Sequence, residues 1–298
     1  MDMNLENSFK HVTLTSDSLL ADEDVHAFRA FIYAVGQKLY RDFPWRNTTD
    51  PYEVWISEVM LQQTQVQRVQ GRWERFIAHF PTVDALAAAA PVDVVEEWQG
   101  MGYNRRALAL HKAASQCAEQ FGGAMPQSES DLLSLPGIGP STAGGIMAFA
   151  FDEPALYLET NVRSVFIHHF FPNDSEVSDK LLKPLVLQTC PDEHVRAWYY
   201  ALLDYGAYLK KTVTNPSRKA KAYTRQSTFE GSRRQKRAWL VREVMAQQSI
   251  ELSKLYCLLN KEEAKAGRDE VLREDFESIV ADLVKEGFFQ LKNERVFV

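Results

Sequence analysis

From Glu23 to Arg41 the apolar residues Val25, Phe28, Ile32, Val35 and Leu39 recur every three or four positions, the spacing of one helical face. The stretch Phe43-Pro44-Trp45-Arg46 stops that helix. Asp50-Pro51 opens a second, with proline in the first turn where its missing N–H costs nothing. This second helix carries Val54-Trp55-Ile56-Ser57-Glu58-Val59-Met60-Leu61. Comparable patterns predict helices over 67–79, 83–89, 104–121, 128–134, 141–150, 161–170, 178–188 and 193–209, with no convincing alternating strand among them. The first 210 residues therefore read as all-α.

Residues 1–21 show no clear period and read as an N-terminal tail. The polar stretch 213–231, with Pro216 and Gly231, reads as a basic linker. Beyond it, helices over 233–246, 250–259 and 271–286 precede an end, Phe288 to Val298, that alternates apolar and polar residues around a polar turn. That end predicts a β-hairpin, and three helices followed by a hairpin predict a winged-helix-like module over 232–298. The fold class is thus mainly α, with a helical domain over 22–212 ahead of the module. Such modules engage DNA or partner proteins, and both remain open.

A length of 298 residues suits one large or two ordinary domains, and 45% hydrophobic residues supply a core. Cys117, Cys190 and Cys257 lie far apart, so neither a C-x-x-C zinc pattern nor a disulfide framework is available, and a reduced cytoplasm fits best. The sequence lacks an apolar run of about eighteen residues. The start MDMNLENSFK has no apolar signal-peptide core, so neither a membrane span nor secretion is expected. The net charge of −6 hides a division. Residues 210–237 hold ten Lys or Arg and one acidic residue, Glu230, for +9; the other 24 basic and 39 acidic residues give −15. Such a placed charge suits a phosphate backbone, although a solvated linker would show the same run.

The most specific local feature is Leu135-Pro136-Gly137-Ile138-Gly139-Pro140-Ser141-Thr142-Ala143-Gly144, between two helical patterns. It reads as the turn of a helix–hairpin–helix. Gly137 and Gly139 permit positive φ and close backbone approach, and the turn's N–H groups with the next helix start make a nest for a phosphate oxygen. Glu58 sits among Ile56, Val59 and Met60, where desolvation would raise its pKa toward a general-acid range; spacing alone also allows a solvent-facing carboxylate. Gln62 and Gln63 lie a turn further on and project on nearly the same helix face. His168 and His169 point to different faces, so no metal site is expected.

The hairpin, with Asn161-Val162-Arg163, resembles the HhH-GPD superfamily of DNA base-excision glycosylases. Within it, Pro44-Trp45-Arg46, the run from Asp50 through Ser57-Glu58-Val59-Met60-Leu61-Gln62-Gln63-Thr64-Gln65-Val66, and Trp98-Gln99-Gly100-Met101-Gly102-Tyr103-Asn104-Arg105-Arg106-Ala107 are similar to the MutY-type adenine glycosylases. The resemblance covers about residues 22–209. It implies two helical subdomains with a cleft between them, into which one nucleotide is flipped from the duplex.

The resemblance also implies roles. Glu58 would protonate adenine N7, and Asn161 would orient the second carboxylate or a phosphate. Gln62 and Gln63 would fill the gap in the duplex, and Tyr103 would be a wedge beside the opposite base. Arg105, Gly137, Gly139, Ser141 and Thr142 would meet DNA, as would Arg233, Arg234, Lys236 and Arg237 of the basic run. Where the family has Asp in D-G-N-V, this chain has Glu159, a tolerated substitute, a sign of altered chemistry, or a purely structural residue. Ser141 stands where bifunctional relatives place a Schiff-base lysine, so hydrolysis without β-lyase activity is expected.

An ungapped continuation puts Lys210, Ser217, Ala220 and Gln226 where the family's four cluster cysteines would lie, and none occurs between Cys190 and Cys257. No iron–sulfur cluster, and no cofactor, is therefore expected. The winged-helix-like module stands in place of the family's Nudix-like domain. The expectation is a monomeric, monofunctional glycosylase acting in the cytoplasm, at the nucleoid, on double-stranded DNA with adenine mispaired with guanine or 8-oxoguanine. Excision of another base, such as thymine or uracil opposite guanine, and an inactive damaged-DNA-binding protein are the alternatives.

Overall fold

The computed structural model describes residues 19–224 and 228–298; most of the expected N-terminal tail, and Gln226, lie outside the described residues. In chain order the helices are α1 Asp22–Leu39, α2 Pro51–Leu61, α3 Val66–Val69, α4 Arg72–His79, α5 Val83–Ala88 and α6 Pro91–Glu97. Then come α7 Arg105–Gln120, α8 Glu129–Ser134, α9 Pro140–Ala150, α10 Thr160–Phe170, α11 Asp179–Thr189 and α12 Val195–Thr212. The C-terminal elements are α13 Arg233–Gln247, β1 Ser249–Glu251, α14 Leu252–Lys265, α15 Arg273–Glu286, β2 Gln290–Lys292 and β3 Arg295–Phe297.

The helix expected over 67–79 is two, because Gly71 takes φ +75° between α3 and α4. Helix α6 was not predicted; Pro91 starts it at a position that needs no N–H. The helix expected from 250 begins two residues later, since Ser249–Glu251 is a strand.

Two compact units form, and they do not follow chain order. One joins the described part of Met1–Gln62 to Ala124–Thr224; the other joins Gln63–Gly123 to Arg225–Val298. The expected boundaries at 212 and 232 thus fall inside units. Residues 63–123 share a unit with the C-terminal module.

In the first unit α1, α10 and α12 pack around Phe28, whose ring meets Phe166, Phe170 and Trp198 edge-on at 5.0–5.9 Å. His169 is buried there, its Nε2 3.1 Å from the Tyr205 hydroxyl, so it belongs to the core. Asp204 of α12 is buried, and Arg46 grips it with two bonds of 2.8 and 2.9 Å, joined by Arg41 at 2.6 Å. Saturating donors are what make a buried carboxylate tolerable. The expected linker starts as ordered structure. Asn215 caps a short turn at Pro216–Lys219, Pro216 and Ser217 are buried, and Ala220 bridges to Val177.

In the second unit α7 buries Ala107, Leu108, Leu110, Ala113, Ala114 and Cys117. The C-terminal module is a three-stranded antiparallel sheet of order β1-β3-β2 with three helices. Asn293 and Glu294, at φ +50° and +58°, make the tight β2–β3 turn, a two-residue form whose twist suits a hairpin. The helix–strand–helix–helix–strand–strand order is that of a winged helix. Its α15, the helix such modules present to a groove, holds five acidic residues against Arg273 and Lys285, a net −3 that phosphates would repel.

Candidate active site

Helix α2 forms because Asp50 accepts from the N–H groups of Tyr52 (2.8 Å) and Glu53 (3.4 Å) while Pro51 occupies its first position. Val54, Trp55, Ile56, Val59 and Met60 are buried around it, and Glu58 stands in this apolar setting half-buried. Burial pushes its carboxyl up to about 8; the Tyr157 hydroxyl donates to it and works against that rise, and the Glu159 charge adds to it. A carboxyl so placed is protonated at neutral pH and can give its proton away.

Two neighbours of Glu58 carried no sequence signal. Tyr157 lies on an extended stretch where Tyr199 holds the backbone, accepting from the Tyr157 N–H at 3.3 Å and donating to the Ala155 carbonyl. Gly145 lies on α9 against Glu58, and a Cβ added there would fall 2.4 Å from Glu58 Oε2 and 3.0 Å from the Tyr157 ring. Glycine lets α9 come this close to the carboxyl; a side chain there would press on the Glu58 carboxyl and the Tyr157 ring.

Glu159 is the N-cap of α10. Its Oε1 accepts from the backbone N–H groups of Asn161 and Val162 (3.0 Å for Val162), and its Oε2 accepts from Asn161 Nδ2 at 3.2 Å. Burial raises this carboxyl above its usual range, opposed first by Lys210 and then by these bonds. Asn161 is thus bonded to Glu159 through both its backbone N–H and its side-chain amide. Lys210 was expected only as a cysteine replacement. Instead, its ammonium faces Glu159 electrostatically, while burial lowers its own pKa.

The hairpin turn joins α8 to α9. Gly137 has φ +80° as expected, but Gly139 is extended at φ −99° and needs no left-handed freedom. Gly137 and Ser141 are exposed, and a Cβ on Gly139 would meet nothing within 4 Å, so this face is open. Thr142 is different. It is buried, and its Oγ1 accepts from Gln62 Nε2 at 2.9 Å, tying the end of α2 to the start of α9. The two residues expected on DNA are thus bonded to each other. The shared helix face of Gln62 and Gln63 does not exist either: α2 stops at Leu61, Gln62 is its C-cap, and exposed Gln63 has φ +52°.

In the second unit Arg105 is exposed at the start of α7. Tyr103, at φ +50°, ends a turn with Gly100 and Gly102 also at positive φ. Of the basic run, four cations stand on α13 of the C-terminal module, while Lys210, Lys211, Arg218, Lys219 and Lys221 belong to the first unit. Arg233 pairs with Asp282 at 2.6 Å, Arg237 with Glu286 at 2.5 Å and Lys236 with Glu263 at 3.3 Å. Arg234 donates to the Tyr103 hydroxyl at 2.9 Å. Each of these four thus has a protein partner, and Arg233 keeps an exposed side chain beside its own. Among the described residues the exposed cations of the run are Lys211, Arg218 and Lys221, in the first unit, and Arg233, in the second.

The positions of the family's cluster cysteines do not fit such a group. Lys210 faces Glu159, Ser217 Oγ is buried on Asn215 at 2.7 Å, and Ala220 is paired with Val177. Among the described residues no three His, Cys, Asp or Glu gather where a metal could be held, and no helix is long and apolar enough to cross a membrane. Purified protein should accordingly lack stoichiometric iron by elemental analysis; one cluster's worth of iron per chain would contradict this.

Residues 56–187 match the family model for the HhH-GPD superfamily base excision DNA repair protein. The adenine DNA glycosylase of Buchnera aphidicola subsp. Baizongia pistaciae is 36% identical over 170 residues, covering 57% of this chain and 48% of the relative. That of Mycolicibacterium smegmatis is 36% identical over 169 residues, covering 56% and 58%. The chain thus spans about half the length of these curated relatives. A thermostable thymine-DNA glycosylase shares the fold with TM-score 0.56 at 24% identity, covering 62% of this chain and 87% of that one. A non-covalent endonuclease III–DNA complex does so with TM-score 0.54 at 19% identity, covering 63% and 87%.

Proposed function

We propose that this chain, whose residues 56–187 match the HhH-GPD base excision repair family, is a monofunctional glycosylase that hydrolyses the N-glycosidic bond of a base flipped out of double-stranded DNA. The base is adenine, mispaired with guanine or 8-oxoguanine, and the enzyme acts as a monomer in the cytoplasm. The observation that carries this reading is Glu58, a carboxyl that burial pushes up to about 8, held by Tyr157 and facing the Glu159 charge. The similarity to adenine glycosylases supports the choice of base.

Glu58 gives its proton to adenine N7, so the purine leaves with the electron pair of the C1′–N9 bond. The sugar is left as an oxocarbenium-like cation. Glu159, whose burial is opposed by Lys210 and by its capping N–H groups, is the carboxyl placed to stabilise that cation electrostatically. Water then adds to C1′, and its proton returns to the Glu58 carboxylate. Ser141 supplies no amine for an imine, which favours hydrolysis over lyase chemistry. The open Gly137–Ser141 face offers backbone N–H groups at the start of α9, an eleven-residue helix, to a phosphate of the strand.

Single-turnover excision on duplexes holding A:G, A:8-oxoguanine, T:G and U:G tests the reading. Abasic product from the adenine pairs alone is expected. Product only from T:G or U:G would move the specificity to another base, and binding with no product from any duplex would leave a DNA-binding protein.

A further inference from the structure

The turn Trp98 to Tyr103 is gripped from two sides. From α7, Arg106 Nη2 donates to the carbonyls of Met101 (3.4 Å) and Gly102 (3.1 Å) and to Thr64 Oγ1 (3.3 Å). Its guanidinium also lies 5.5 Å from the Tyr103 ring centroid. From α13 of the C-terminal module, Arg234 Nη1 donates to the Tyr103 hydroxyl at 2.9 Å, with its guanidinium 5.4 Å from the same ring. Gln99 Nε2 reaches Met245 Sδ, also on α13, at 3.6 Å. Phe229 completes the setting of Arg234 at 5.5 Å. Tyr103 keeps a left-handed φ of +50°, a conformation a tyrosine holds only where its surroundings impose it.

Neighbouring Arg233, Lys236 and Arg237 anchor α13 to carboxylates of its own module, which makes the helix a firm base for Arg234. The acidic α15 meanwhile offers phosphates nothing. The module's contribution therefore runs through the turn.

We propose that Arg234 is a positioning residue for Tyr103, by which the C-terminal module fixes the side chain that enters the duplex. This rests on the reading of Tyr103 as the wedge of a base-flipping glycosylase. A wedge ordered before binding need not be ordered during it, so the gain falls on extrusion of the base rather than on bond cleavage. A guanidinium supplies both the bond to the hydroxyl and the contact with the ring; an ammonium cannot supply both in one geometry.

The test compares wild type, Arg234→Lys, Arg234→Ala, Tyr103→Phe and the double variants by single-turnover excision, with 2-aminopurine beside the target base reporting extrusion. On a fully paired mismatch Arg234→Ala should lose about tenfold or more, the scale of a hydrogen bond from a charged group. Opposite an abasic gap, where unpairing is already done, the loss should shrink to about threefold or less. Arg234→Lys should fall between, and adding Tyr103→Phe to Arg234→Ala should cost little more, because the two share one interaction.

Equal losses on both duplexes, or additive losses in the double variants, would overturn the proposal. So would a salt dependence of binding lowered by about 0.9 in Arg234→Ala with Tyr103→Phe unaffected, which marks a phosphate contact. If Tyr103→Ala extrudes and excises like wild type, the wedge reading itself fails. If wild type extrudes the base but excises nothing, only the glycosylase reading fails.

Discussion

Glu58→Gln should lower single-turnover excision by about two to four orders of magnitude, the contribution of a positioned general acid, while duplex binding stays nearly unchanged. The amide keeps the shape and the Tyr157 contact but has no acid proton to give. On the proposed mechanism the acid form is the active one, so the rate should hold below about pH 8 and decline above it, where the carboxyl ionises. Stability follows the same group. A carboxyl raised by burial binds, in the folded state, a proton that the unfolded chain has already released. Its stabilisation is complete below the usual carboxylate range and is lost as pH rises through about 8. Wild type should therefore lose thermal stability relative to Glu58→Gln across that window. Parallel melting profiles for the two proteins at all pH values would mean that Glu58 is solvated and unfit for the role.

Gly145→Ala should cost about a hundredfold in excision, the scale of an ångström's displacement of a catalytic group. The added Cβ would sit 2.4 Å from Glu58 Oε2, so carboxyl or helix must move. The helix itself gains from alanine by about 1 kcal/mol, so circular dichroism should show the overall helical content unchanged while activity is lost. Combining Gly145→Ala with Glu58→Gln should add little, since the group being displaced is already disabled. A fully active Gly145→Ala enzyme would place the proton donor elsewhere.

How much of this was legible in the sequence differs from residue to residue. Glu58 was, because a carboxylate amid Ile56, Val59 and Met60 announces its own desolvation, and burial does raise it. The hairpin was, since Gly137 marks a local backbone need. Gln62 and Gln63 misled, because nothing local shows that α2 stops at Leu61 and sends Gln62 to Thr142, eighty residues away. The α13 cations of the basic run show the same limit. A count of charges does not show that Asp282, Glu286 and Glu263 answer it. Strand β1 is three residues long, too short for alternation to register, and the Arg234–Tyr103 bond spans 131 positions. Periodicity reads single elements; partners distant in sequence are chosen by the tertiary fold.

The interleaving of the two compact units carries a consequence for how the protein is made. Every segment of the unit containing Glu58, Tyr157 and Glu159 has been synthesised once Thr224 has emerged, whereas the other unit receives Arg225–Val298 last. Domains fold as units during synthesis, so the pocket around Glu58 can assemble on the ribosome well before the turn bearing Tyr103 meets Arg234. A nascent chain stalled near residue 224 would hold the Glu58 pocket complete and Tyr103 without Arg234.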